Sequence, residues 1–231
     1  MAEPTYSVEK ECPVCHIKFN VTRTRGRQIL VKQDSDFCSH FQDINPYYYS
    51  IWVCSHCGYA APDSGFENLS AAAQDKIAKF LSSRTVNVNY SGIRTREQAI
   101  ATYKLAIFFA ELIAAPESKL ADLYLKLSWL YREGENAQEE KSAQTIACDH
   151  YEQALFRERL PIGKLSEAAV SYLIGELARR TGQTEKALLY LGKVVGNPTA
   201  KLEPRVYSMA RDAWHEARND RDRQKEEAKV D

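Results

Sequence analysis

From about Glu67 onward, alanine and leucine recur at three- and four-residue spacing, with glycine or proline between the runs. That is the period of helices that bury one face. It predicts seven helices, over 67–83, 94–114, 118–133, 139–158, 164–181, 184–196 and 203–226. Several ends have a local cause. Thr95 with Gln98 makes a capping-box pattern, Pro116 disfavours continuing the second helix, Gly182 ends the fifth, and Thr184 is placed to cap the sixth. Over Arg218–Asp231 acids and bases interleave, as in a solvated helix end that frays.

Before Glu67 the pattern changes. Lys18–Thr22 alternates polar and apolar residues, while Gln28–Val31 and Tyr49–Val53 are β-branched and aromatic. These runs read as strands, and the glycine of Arg25-Gly26-Arg27 suits a turn between the first two. The expected fold class is α+β, mainly α. A small β head over residues 1–66 precedes a helical domain over 67–231.

Composition narrows the class further. Hydrophobic residues are 44% and charged residues 27%, which suits a globular chain and argues against disorder. Lys plus Arg (31) balance Asp plus Glu (31), so no global charge favours nucleic acid or an anionic membrane. The longest apolar run, Leu105–Ala115, is interrupted by Glu111 and stopped by Pro116, too short to cross a bilayer. The first residues lack the apolar core of a signal peptide. A cytoplasmic location is expected, where the six cysteines read as metal ligands or thiols rather than disulfides.

Five of those cysteines lie in the head. Cys12-Pro13-Val14-Cys15 and Cys54-Ser55-His56-Cys57-Gly58 are two C-x-x-C knuckles, each beside a strand-like run. Two thiolates three positions apart on a tight turn grip one face of a tetrahedral ion, and a second such turn completes it. The spacing therefore points to one structural zinc on Cys12, Cys15, Cys54 and Cys57, as in a zinc ribbon. Iron, redox dithiols and an empty site are the alternatives. A site with four protein thiolates has no open position for a substrate water. His16 and His56 could each stand in for a cysteine ligand but read better as knuckle residues that are exposed or support the ligands, and Cys148 reads as core. Cys38 has two readings: a small half-buried thiol packed beside the ribbon, or a reactive thiol or extra metal position with His40.

Lys18, Arg23, Arg25, Arg27 and Lys32 are five bases with no acid between them, a pattern that could contact phosphates. Residues 1–62 nevertheless carry six bases against six acids, which favours a solvated hairpin over nucleic-acid binding.

In the helical part, Ala99-Tyr103-Ala106 recurs as Ala147-Tyr151-Ala154 and, more weakly, as Ala187-Leu191-Val194. Small, large, small at i, i+4 and i+7 lets one helix sit close against another. Ser171–Ala178, Thr181-Gly182-Gln183 and Asn197-Pro198 resemble one tetratricopeptide repeat, and Tyr124–Tyr131 resembles the first helix of a preceding, interrupted one. That resemblance implies antiparallel helical hairpins stacked into a solenoid whose concave face docks a protein or peptide. Trp129, Arg132, Glu176, Arg179 and Arg180 would then face the groove. The alternative is a helical bundle with the same packing and no groove.

The N-terminal string is more specific than either module. Cys12-Pro13-Val14-Cys15, Asp34-Ser35-Asp36-Phe37-Cys38, Asn45-Pro46 and Val53-Cys54-Ser55-His56-Cys57-Gly58-Tyr59-Ala60 together resemble the bacterial family known as domain of unknown function 2225. The resemblance implies a bacterial cytoplasmic protein with a helical, repeat-like C-terminal part, and it draws Cys38 into the family motif. The expected function is a non-catalytic zinc-binding module that docks a protein or peptide. A thiol enzyme or redox sensor centred on Cys38 is the alternative, and nucleic-acid binding through the basic hairpin is the third reading. The chain has no nucleophile elbow, P-loop, H-E-x-x-H or glycine-rich dinucleotide loop, which argues against catalysis.

Overall fold

A computed structural model describes residues 4–84, 86 and 88–227. Its elements are α1 (Ala71–Leu81), α2 (Arg96–Leu112), α3 (Glu117–Glu133), α4 (Ala137–Arg157), α5 (Glu167–Thr181), α6 (Thr184–Gly196) and α7 (Pro204–Glu227), preceded by six short strands. All seven helices lie where the periodicity predicts them. The end of the expected fraying tail, residues 228–231, lies outside the described residues.

The strands form three separate antiparallel pairs: β1 (Thr5–Glu11) with β2 (Lys18–Thr24), β3 (Leu30–Gln33) with β4 (Ser39–Phe41), and β5 (Ile51–Val53) with β6 (Ala60–Pro62). The predicted strand over Tyr49–Val53 is shorter than expected. Asn45 caps a 3-10 turn over Pro46–Tyr49, with Pro46 supplying the preset φ of a first turn. Gly26, φ 68°, makes the turn expected after β2.

Two compact units make up the chain. The first holds residues up to Gln33, Ser39–Ala115 and Trp129–Asn136; the second holds Asp34–Cys38, Pro116–Ser128 and residues from Ala137 on. This division differs from a boundary at residues 66/67, and the reason lies in the core of the first unit. Phe66, fully buried, packs its ring at a tilt against Phe19, Trp52 and Tyr59, with centroids 5.6, 5.8 and 4.9 Å away. Tyr59 in turn meets Phe109 of α2 edge-on at 5.5 Å. A head of six short strands has too little apolar surface for a core of its own, so its aromatic cluster recruits α2. The capping box at Thr95 and Gln98 starts that helix as expected.

In the second unit, α4 to α7 pack each on the next in chain order, and α7 also returns to α5. Every member of the Ala147-Tyr151-Ala154 and Ala187-Leu191-Val194 sets is buried. The α5–α6 contact is tight at Gly175, where an added Cβ would lie 2.6 Å from Leu191 Cγ. Only a residue without a side chain permits that α5–α6 spacing. Gly182 ends α5 in the left-handed conformation, φ 83°. Thr184 does not cap α6: the N-cap is Gln183, which makes no side-chain capping bond, and Thr184 is the first helical residue.

Candidate metal centre

Each C-x-x-C sequence turns out to be the loop of a hairpin, the first joining β1 to β2 and the second joining β5 to β6. The two loops close by the same bonds. Cys12 N–H donates to Ile17 O at 3.1 Å and His16 N–H to Cys12 O at 2.9 Å. Cys54 N–H donates to Tyr59 O and Gly58 N–H to Cys54 O, both at 2.8 Å. The fifth position of each loop must be left-handed. Gly58 takes φ 78° freely, while His16 is held at φ 58° against the preference of a side-chain-bearing residue.

These loops bring the four predicted ligands together. Cys12 Sγ lies 3.6 Å from Cys57 Sγ, and Cys15 Sγ 3.7 Å from Cys54 Sγ. All four sulfurs fall within 4.8 Å of one another. A tetrahedral ion with metal–sulfur bonds of about 2.3 Å requires sulfur–sulfur edges of about 3.8 Å, so the arrangement fits such an ion. Cys12 and Cys54, the first cysteine of each loop, are fully buried; Cys15 and Cys57 are half-buried. Val14 N–H points at Cys12 Sγ from 3.5 Å, the polarity a thiolate wants.

Crowded thiols cannot all ionise unaided. Hydrogen bonds from Cys12 and Cys57 hold the Cys54 thiol far below its ordinary range. Cys12 is pushed up to about 12, chiefly by its bond to Cys54, and Cys57 is pushed up further by Cys12 and Cys54. Burial, followed by the charges of Cys12 and Cys57, also raises the Tyr59 phenol beneath them. A divalent cation removes this conflict by neutralising the thiolates it binds.

The other residues singled out in the sequence are placed as follows. His16 and His56 are exposed, with His16 Nδ1 3.7 Å from Glu11. Cys148 is fully buried, its thiol pointing at Ile174 O from 3.5 Å and pushed up to about 12 by burial. Cys38 is 5% exposed in the segment Asp34–Cys38, and its N–H donates to Asp36 Oδ1 at 3.4 Å. His40 is half-buried on β4, in register with Lys32. Within the basic hairpin, Lys18 pairs with Glu9 at 2.9 Å, while Arg23 and Arg25 lie over the rings of Trp52 and Tyr6.

The five expected groove residues fall in different units. Trp129 is buried against Tyr47, ring centroids 4.9 Å apart, and Arg132 is in the last turn of α3, both in the first unit. Glu176, Arg179 and Arg180 belong to the second. Glu176 is fully buried and accepts from Arg179 at 2.9 Å and from Arg180 at 2.8 Å. Sequence reasoning missed two of their neighbours. Ser35 donates to Glu176 Oε1 at 2.6 Å, and Tyr172 donates to Ser35 O at 2.7 Å. The only sequence signal was the Asp34–Cys38 string itself, separated from α5 by more than a hundred residues.

Among the described residues no helix is long and apolar enough to cross a membrane. No solved structure matches the chain. A curated relative from Borreliella burgdorferi, itself called an uncharacterized protein, is 24% identical over 173 residues. The match covers 67% of this chain and 62% of that relative, so the chain spans less than two thirds of the relative's length. The family model described as "Uncharacterized protein conserved in bacteria (DUF2225)" matches residues 5–217, and the chain belongs to that bacterial family.

Proposed function

We propose that the chain is a non-catalytic, cytoplasmic interaction module in which a structural zinc clamps the head and the helical array docks a protein or peptide partner. The observation that carries this reading is the closed set of four cysteine sulfurs, all within 4.8 Å of one another. Four thiolates saturate a tetrahedral ion, leaving no position for a water or substrate, so the metal works as a clamp. It joins the loops of two short hairpins, beside the aromatic cluster that Phe66 makes with Phe19, Trp52 and Tyr59. Thiolate ligands in this geometry suit zinc, with an iron centre as the other ion of matching preference.

The docking half of the proposal draws on the resemblance of Ser171–Pro198 to a tetratricopeptide repeat and on the sequential packing of α4 to α7. A reactive-thiol role for Cys38 has less behind it. Its thiol is 5% exposed, and Asp36 lies beside its backbone.

The test has two parts. Elemental analysis of the purified chain should give one zinc per molecule; iron, or no metal, overturns the clamp. A partner captured from bacterial lysate and then repurified should bind the chain directly. Failure of every captured protein to bind with purified components overturns the docking role.

A further inference from the structure

The segment Asp34–Cys38 folds as a tight turn that behaves like a ligand of α5. Asp34 N–H donates to Cys38 O at 2.8 Å, and Phe37 N–H donates to Asp34 O at 3.0 Å. Phe37 is left-handed at φ 67°, a conformation that a bulky residue adopts only where its surroundings compensate. The compensation is its ring contact with Tyr172, centroids 5.6 Å apart.

Tyr172, Glu176 and Arg180 stand at i, i+4 and i+8 on one face of α5, and each addresses a different chemical group. The Tyr172 hydroxyl donates to the Ser35 carbonyl at 2.7 Å, a bond any peptide could accept. The Ser35 hydroxyl is held in both of its roles. It donates to Glu176 Oε1 at 2.6 Å and accepts from Arg180 Nη2 at 2.8 Å. Arg180 Nη2 also lies 3.9 Å from the Asp36 carboxylate, which is fully buried. Glu176 is fully buried too, and Arg179 completes its charge pairing. A contact needed only for packing gains little from buried carboxylates and a hydroxyl bonded twice over. Such polar detail discriminates between segments, because an occupant lacking the hydroxyl or the acid leaves buried groups unsatisfied.

We infer that the Tyr172–Glu176–Arg180 face is the peptide-recognition surface of the helical unit. Asp34–Cys38 is its resident occupant, and the partner it takes in trans is a protein turn carrying hydroxyl, acid and aromatic side chains in that order, as Ser35, Asp36 and Phe37 do. This rests on the protein-docking reading above and adds the place and the chemistry. The resident turn competes with the partner, so docking proceeds by displacement. Its left-handed phenylalanine is a conformational cost that release recovers.

The probe is a fluorescein-labelled peptide with the sequence of residues 33–39, added to the full-length protein. The variant S35A/D36A/F37A should bind it at least about tenfold more tightly than the unaltered chain, because the resident competitor is weakened. In that background Arg180→Ala should reduce peptide binding by about tenfold or more, and so should a peptide with alanine in place of its serine. If the variant keeps its helical circular dichroism but ignores the peptide, or binds it regardless of Arg180, the inference is overturned. Should the variant not fold, hydrogen exchange on the unaltered chain decides. Excess peptide should speed exchange of the Phe37 and Cys38 amides, and unchanged exchange at millimolar peptide overturns the proposal. A repurified partner whose binding does not depend on Arg180 would sink this assignment while leaving the docking role intact.

Discussion

Arg94 donates to the carbonyl of Ile51 at 2.7 Å, and the same nitrogen reaches Tyr48 O at 2.9 Å. Its Nε donates to Tyr90 O at 2.8 Å, so a guanidinium only 5% exposed is bonded to three backbone carbonyls. Burial pulls its pKa down to about 10, which still leaves it charged at neutral pH. Ile51 begins β5, three residues before Cys54, so Arg94 anchors the strand that carries the second cysteine loop. Arg94→Met should leave these buried carbonyls unsatisfied, each at about 1–3 kcal/mol. A chemical denaturation midpoint for the first unit that does not move would show that water replaces the guanidinium.

Metal removal should be the most disruptive change to the head. Cys12→Ser takes one ligand from the closed set, and both metal content and the head's protection from proteolysis should fall, while helical circular dichroism largely persists. Acid should act in the same direction, because protons compete with the ion for the thiolates. Metal-to-protein ratio measured after dialysis at falling pH checks both. Retention of a full equivalent by Cys12→Ser would place the metal elsewhere.

Gly58 offers a subtler probe of the same loop. It is left-handed at φ 78°, and an added Cβ would come 2.8 Å from Val86 Cγ1. Gly58→Ala should therefore weaken metal retention without removing a ligand, at a cost of about 1–2 kcal/mol from the backbone alone. Competition with a chelator would register it as faster metal loss.

The helix contacts are tested by size. Gly175→Ala forces a methyl against Leu191, and Ala154→Trp and Ala106→Trp overfill sites that are at most 2% exposed. Each should cost about 1–3 kcal/mol by overpacking. Unchanged melting of Ala154→Trp would mean that α4 does not pack as described.

Glu176 gives the second unit an acid limb. Burial works against its charge, but the bonds and charge of Arg179, with Ser35 and Arg180, outweigh it and hold the carboxyl below its ordinary value of 4.5. A depressed carboxyl contributes stability that is fully present above that ordinary value and is lost as pH falls through the folded one. The urea midpoint of α4–α7 should thus be level near neutrality and drop below about pH 4.5, with the drop reduced in Glu176→Gln. That variant should also lose roughly 1–3 kcal/mol at neutral pH, less than a fully buried pair, since each arginine side chain stays 23% exposed. An identical acid limb in the variant would assign the titration to other groups.

The helices were legible because their signal is local. Alanine and leucine at helical spacing, the Thr95–Gln98 box and Gly182 each act within a few residues. The paired C-x-x-C loops were legible for the same reason, as ligand spacing is a property of one turn. The strands were legible only in part: the runs over Lys18–Thr22, Gln28–Val31 and Tyr49–Val53 fall on or overlap β2, β3 and β5, whereas β1, β4 and β6 left no readable pattern. β1, TYSVEKE, carries almost no apolar face and is a strand because it pairs residue for residue with β2. β4 and β6 are three residues each, too short for a period to show.

By itself, then, the sequence determined the seven helices, the two cysteine loops and the alanine positions that allow close helix contact, all of them consequences of neighbours along the chain. The tertiary structure decided what no window of residues contains: that Phe66 and Tyr59 recruit Phe109 of α2 into the core of the first unit, and that Asp34–Cys38 belongs with α5. It also turned Glu176 and Arg180 toward Ser35. A helix pattern shows which face is polar, but only packing supplies the groups that a buried carboxylate must find before it can be buried.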